Sequence, residues 1–117
     1  FFLEPTIIVG LPENSKCIQE EIFGPVVTVS KFQKFSEVIE KANAVKYGLS
    51  ATVWTKNLKT AHEAAANLKA GTVWINTWLA RDLRVPFGGM KASGLGREGG
   101  NHSIDFFTEM TNVNVRF

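Results

Sequence analysis

Few side chains in this 117-residue chain could do chemistry, and most of them stand alone. Cys17 is the single cysteine and sits in a polar stretch with no histidine near it in sequence. A thiol nucleophile needs a base within reach, so Cys17 reads as structural rather than catalytic. His62 and His102 each lack a second histidine or a cysteine at ligand spacing, so no metal site is expected. Glu20-Glu21 is a paired carboxylate, for which a solvated turn is the plain reading. Gly94-Leu95-Gly96-Arg97-Glu98-Gly99 matches the dinucleotide fingerprint G-x-G-x-x-G. That fingerprint needs a hydrophobic strand directly before it and a full strand-helix-strand unit around it. Here a glycine turn precedes it and too little chain follows, so the glycines are read as serving tight turns. Asn101-His102-Ser103 fits a glycosylation acceptor by chance.

The most suggestive charges are Arg81, Asp82 and Arg84, set among Trp78, Leu79 and Leu83. One reading of Arg81 is a surface ion pair with its neighbour Asp82. The other starts from its place on a loop that leaves the carboxyl end of a buried strand, where ligands gather in parallel sheets. A guanidinium there can hold a carboxylate through two parallel hydrogen bonds.

The elements that must position these residues are legible as alternating patterns. Phe2 to Val9 is β-rich around Pro5, Gly10 to Lys16 is a polar loop, and Val26 to Phe32 reads as a strand. Ser36 is placed to cap a helix running to about Lys46, with Val38, Ile39, Ala42 and Val45 on one face and Gly48 as a left-handed stop. Leu49 to Trp54 is the next strand. Asn57 can cap the following helix, whose stripe is Leu58, Ala61, Ala65 and Leu68. Thr72 to Asn76, after Gly71, is a third strand. Right-handed crossovers then predict an α/β fold, a parallel sheet with covering helices. A glycine-rich loop follows, then a short helix from Asn101 or Ser103. Residues 111–117 (TNVNVRF) alternate apolar and polar, as a half-buried strand free to add to another sheet edge does.

At Thr72 to Glu98 the sequence resembles a known family. The runs Gly71-Thr72-Val73-Trp74-Ile75-Asn76 and Pro86-Phe87-Gly88-Gly89-Met90-Lys91-Ala92-Ser93-Gly94-Leu95-Gly96-Arg97-Glu98 resemble the C-terminal region of aldehyde dehydrogenases. So do Glu20-Glu21-Ile22-Phe23-Gly24-Pro25-Val26 and Pro5-Thr6, in the family's order. The resemblance implies an NAD(P)-dependent oxidation of a small-molecule aldehyde to the acid, by a cysteine nucleophile and a glutamate-activated water. Neither group matches a residue here: the family's cysteine lies well upstream of the motif that Cys17 only just precedes. By the same resemblance Glu21 accepts hydrogen bonds from the nicotinamide-ribose hydroxyls, as a carboxylate suits two vicinal donors. Phe23 packs by that ribose and Phe87 lines the aldehyde tunnel. Trp78, Leu79 and Arg81 fall where the family sets selectivity. Asn76 to Arg84 is most similar to the branch acting on 2-hydroxymuconic and 2-aminomuconic semialdehydes, which carry one aldehyde and one carboxylate.

The resemblance divides the chain into residues 1–110, part of the catalytic domain, and residues 111–117, an oligomerisation strand that implies a homo-oligomer. With no initiator Met, the chain is expected to be part of something longer and inactive alone. The formal charge is +2 with acids and bases interleaved, which argues against a nucleic-acid partner. No run approaches the ~20 apolar residues of a membrane span. One cysteine and no signal segment fit a reducing, cytoplasmic setting. The rival expectation is a non-catalytic structural or subunit-interface module.

Overall fold

The computed structural model describes residues 2–117. Its elements in chain order are β1 (Thr6–Val9), α1 (Lys16–Gln19), β2 (Val26–Val29), α2 (Phe35–Ala44), β3 (Ser50–Val53), α3 (Leu58–Asn67), β4 (Thr72–Ile75), a 3-10 turn (Lys91–Ser93) and α4 (Asn101–Phe107). The α/β character holds, but the single sheet does not. β1 pairs in parallel with β2, and β3 in parallel with β4, as two separate two-stranded sheets. The expected ladder between β2 and β3 is not formed. Local pattern specifies that a strand exists and which face it buries; it does not name the neighbour.

Polar bridges join the two sheets instead. Lys41 on α2 donates to the Lys31 carbonyl at 2.8 Å and pairs with Glu37 at 2.9 Å and Glu13 at 3.1 Å. The Asn43 amide donates to the Asn67 carbonyl and accepts from the Lys69 N–H, each at 2.8 Å, and so ties α2 to the end of α3.

The helices correct three expectations. The α2 cap is Lys34, with no side-chain cap bond, and Ser36 lies inside the first turn. Glu37 does the satisfying there, accepting from the Gln33 N–H at 3.0 Å. α2 stops at Ala44 with Val45 extended, so Gly48 is not its left-handed stop. Gly48 is glycine for closeness: a Cβ would overlap the Lys69 carbonyl oxygen. On α3, Asn57 caps as expected, its side chain accepting from the Thr60 N–H at 3.0 Å. The buried stripe is Ala61 and Ala64 with half-buried Leu68, whereas Leu58 and Ala65 face out. Two alanines let α3 lie close on β4, where Trp74 is buried.

Ala61, Ala64 and Trp74 are the buried apolar side chains among the described residues. Phe35, Val38, Ile39 and Ala42 of α2 face β3, Ala64 and Leu68 across an open apolar cleft of about 490 Å³. The radius of gyration is 19.0 Å, against about 13 Å for a closed domain of this length. Residues 108–117 form no ladder with any described residue, and Val113, Val115 and Phe117 are exposed. Among the described residues no helix is long and apolar enough to cross a membrane.

So much open apolar surface has a consequence for the 117-residue chain on its own. It should self-associate at micromolar concentration and bind a hydrophobic dye, as exposed apolar patches and unpaired strand edges do. Sedimentation velocity checks this; a dye-silent monomer with one sharp cooperative unfolding transition would contradict it.

Candidate functional site

The site is shaped by how the chain leaves β4. Asn76 takes a left-handed backbone, φ 53°, and its amide closes the strand end. It donates to the Thr55 carbonyl and accepts from the Thr55 N–H, each at 2.8 Å. Asparagine tolerates that conformation because its short amide bonds locally. Leu79, also left-handed at φ 54°, has no such compensation and carries about 1–2 kcal/mol of strain. It is held by its neighbour: the Trp74 indole N–H donates to the Ala80 carbonyl at 2.8 Å. Trp78 packs edge-on against Trp74, with ring centroids 5.3 Å apart. The loop therefore turns back along β4 instead of projecting past its carboxyl end.

It returns to the amino end of that strand. The Gly48 carbonyl, just before β3, accepts from the Gly71 N–H at 3.0 Å and the Met90 N–H at 2.8 Å. The Gly48 N–H donates to the Ser93 hydroxyl at 2.9 Å. A Cβ on Gly71 would overlap the Gly88 carbonyl. Beside this junction Phe87 and Glu98 exchange both backbone hydrogen bonds, each 2.8 Å, in an isolated antiparallel bridge.

Arg81 lies over the Phe87 ring, its guanidinium carbon 4.1 Å from the centroid. Its Nη2 meets Glu98 Oε1 at 3.3 Å. The surface pairing of Arg81 with Asp82 is thus incorrect. Asp82 is taken by Arg84, whose Nε lies 2.8 and 3.1 Å from the two carboxylate oxygens and whose Nη2 also reaches Oδ2. The Arg84 side chain, with its backbone N–H, holds the Asp82 carboxyl below the usual carboxylate range. Asp82 and Arg84 close this pair locally, and Arg81 instead reaches across the loop to Glu98.

Of the expected substrate residues, Arg81 and Phe87 are brought together. Trp78 and Leu79 sit exposed at the far turn of the same loop. Phe87 lines a cleft of about 300 Å³ with Leu49, Ser93, Gly96, Glu98 and Phe106. Glu21 lines a second cleft, about 340 Å³, with Asn43, Gly48, Leu49, Lys69 and Ser93. Leu49 and Ser93 wall both. The Glu21 carboxylate makes no hydrogen bond or ion pair among the described residues, so both oxygens are open to donors. Phe23 projects freely at 96% exposure, away from either cleft wall. Sequence reasoning missed Glu98, Ser93 and Leu49 as site residues. Glu98 lies seventeen positions from Arg81, and no local period links them.

The glycine fingerprint is filled by its own chain. Places where a Cβ would stand on Gly96 and Gly99 are taken by the Phe106 ring and the Val85 carbonyl. A 3-10 turn precedes it, and the seven-residue α4 follows. Cys17 is exposed on α1. No three of His, Cys, Asp and Glu converge among the described residues.

Comparison with known proteins adds to this geometry. The profile described as the aldehyde dehydrogenase family matches residues 1–113. A 2-aminomuconic semialdehyde dehydrogenase of Danio rerio is 55% identical over 116 residues, covering 99% of this chain and 24% of that protein. A 2-aminomuconic 6-semialdehyde dehydrogenase of a Pseudomonas species is 52% identical over 115 residues, covering 98% and 23%. An aldehyde dehydrogenase of Bacillus cereus, solved as its NAD+ complex, superposes with a TM-score of 0.88 at 50% identity, over 93% of this chain and 22% of that one. The chain thus spans about a quarter of the length of the relatives it matches.

The Trp74 indole bond is the side-chain hydrogen bond described above between the loop and β4. In the full-length protein, Trp74→Phe should lower stability by at least about 0.5–1.5 kcal/mol, the worth of one hydrogen bond. Amide exchange at Arg84 and Gly100 should quicken. Unchanged denaturant midpoint and unchanged exchange would show that the loop holds its path without the tether.

Proposed function

Because the chain belongs to the aldehyde dehydrogenase family, we propose that it forms part of an NAD(P)-dependent enzyme that oxidises a carboxylate-bearing semialdehyde to the acid. The observation that carries the substrate class is Arg81 spread over the Phe87 ring. Its Nε and Nη1 have no partner among the described residues, and its side chain is 39% exposed. A guanidinium stacked on an aromatic face is oriented, and Nη2 together with Nε or Nη1 can take a carboxylate through two parallel hydrogen bonds, so a two-point hold draws on the donor that meets Glu98. Arg84 has its Nε–Nη2 edge taken by Asp82. Two relatives that share about half of this sequence are dehydrogenases of 2-aminomuconic semialdehydes.

In this reading, bound NAD(P)+ supplies the hydride acceptor. Glu21 would hold its nicotinamide ribose, an assignment that the open carboxylate beside the Leu49–Ser93 wall fits. Phe23 would pack against the same ribose, its exposed ring being free to be covered. Phe87, Trp78 and Leu79 would form the apolar wall along which the aldehyde enters, with Arg81 fixing the distal carboxylate. The nucleophile and the general base come from outside the residues described. Residues 1–110 would belong to the catalytic domain. Residues 111–117, exposed and alternating, would add as a strand to a sheet edge of a second copy. A single exposed cysteine suits a reducing, cytoplasmic setting.

Two substitutions in the full-length protein test the assignments. Glu21→Gln keeps the shape and removes the charge; single-turnover hydride transfer should slow about tenfold or more, with cysteine labelling unaffected. Unchanged hydride transfer removes Glu21 from the ribose site. Arg81→Ala should lower kcat/KM roughly ten- to a hundredfold for adipic semialdehyde and little for hexanal, the uncharged aldehyde of equal length. Equal losses would reduce Arg81 to a support of its loop.

A further inference from the structure

Arg81 already has an anion. Glu98 is set opposite Phe87 by two backbone hydrogen bonds of 2.8 Å, so its position does not depend on its side chain. From there its carboxylate reaches the very guanidinium that covers the Phe87 ring, 3.3 Å away through one donor. The contact is single and long, and both partners are open to water, at 39% and 62% side-chain exposure. An exposed one-point ion pair of this kind is weakly held and readily exchanged.

We infer that Glu98 is a specificity-determining residue: a resident carboxylate that competes with the substrate's carboxylate for Arg81. The inference rests on the reading of Arg81 as the carboxylate-binding residue. An incoming carboxylate meets Arg81 with one anion already beside it. It must either displace Glu98 or share the guanidinium at the cost of like-charge repulsion. The attraction of Arg81 for any carboxylate is lowered by that amount, while an uncharged aldehyde meets no such opposition. Glu98 therefore damps the enzyme's preference for carboxylate-bearing substrates, and Arg81 retains its orientation over Phe87 whichever carboxylate it holds. The alternative role is positioning: Glu98 would aim Arg81, and losing it would weaken semialdehyde recognition.

The test is the ratio of kcat/KM for adipic semialdehyde over hexanal in the full-length enzyme, which cancels any general effect on the chemistry. Glu98→Gln keeps a hydrogen-bond acceptor and removes the charge; the ratio should rise about two- to fivefold, carried by a lower KM for the semialdehyde. Glu98→Asp, which withdraws the carboxylate by one methylene, should move the ratio the same way by less. Both variants keep the backbone bridge. In an Arg81→Ala background, Glu98→Gln should leave the ratio unmoved. If the ratio is unchanged or falls in both single variants while Arg81→Ala lowers it, Glu98 is not a competitor and this inference fails alone. If Arg81→Ala itself leaves the ratio unchanged, the substrate reading fails first.

Discussion

The molecule depends on one place where three stretches of backbone touch without side chains between them. Gly48 precedes β3, Gly71 precedes β4, and Gly88 opens the return of the long loop. The Gly48 carbonyl accepts from two of these stretches, through Gly71 and Met90. A Cβ on Gly71 would occupy the Gly88 carbonyl, so no other residue fits without moving the loop. Because the loop departs from the carboxyl end of β4 and must reach this junction at the amino end, it has to run back along the strand. Its middle, from Trp78 to Arg81, is thereby laid beside Trp74, and Arg81 arrives over Phe87. The aromatic and charged pairs of the site follow from where the backbone is pinned.

That path also changes where a ligand is to be sought. The general rule for open parallel sheets puts sites beyond the carboxyl ends of strands. Reading Arg81 as standing there is natural from sequence, and Glu21, which precedes β2, then looks misplaced. In the structure both sides of the discrepancy move. The loop's fold-back carries Phe87 and Ser93 to the amino ends of β3 and β4, and Glu21 lines a cleft with Gly48, Leu49 and Ser50 at that same end. The carboxyl-end rule describes short connections that stop where the strand stops. A loop of twelve residues, 76–87, pinned by a glycine contact at the opposite end, escapes it.

How much of this was legible depends on the range over which each feature is decided. Strand existence, the Asn57 cap and the glycine-rich return are written in contiguous residues, and the sequence shows them. The Ser36 cap failed because a serine competes with what surrounds it, and Glu37 satisfied the free N–H from within the helix. The Ala65 stripe failed by one position, since Ala64 is the residue that is buried. The single sheet failed for a deeper reason: strand partners are chosen by long-range packing, and β2 found β1 rather than β3. At the site, Phe87 and Arg81 were legible singly. Their stacking, and the hold of Glu98 on Arg81, join residues that share no period.

The loop's charges show why the two arginines differ although they are three residues apart. Arg84 and Asp82 satisfy each other within the turn. The Asp82 side chain raises the guanidinium pKa further, and the Arg84 backbone N–H donates to Asp82 Oδ1 at 2.9 Å as well. That unit is neutral, exposed and self-contained, and it needs nothing from the rest of the fold. Arg81 has no local acid left, and its side chain lies on the aromatic ring that the Phe87–Glu98 bridge presents. Its charge is therefore held between Phe87 and Glu98, two residues that line one of the clefts.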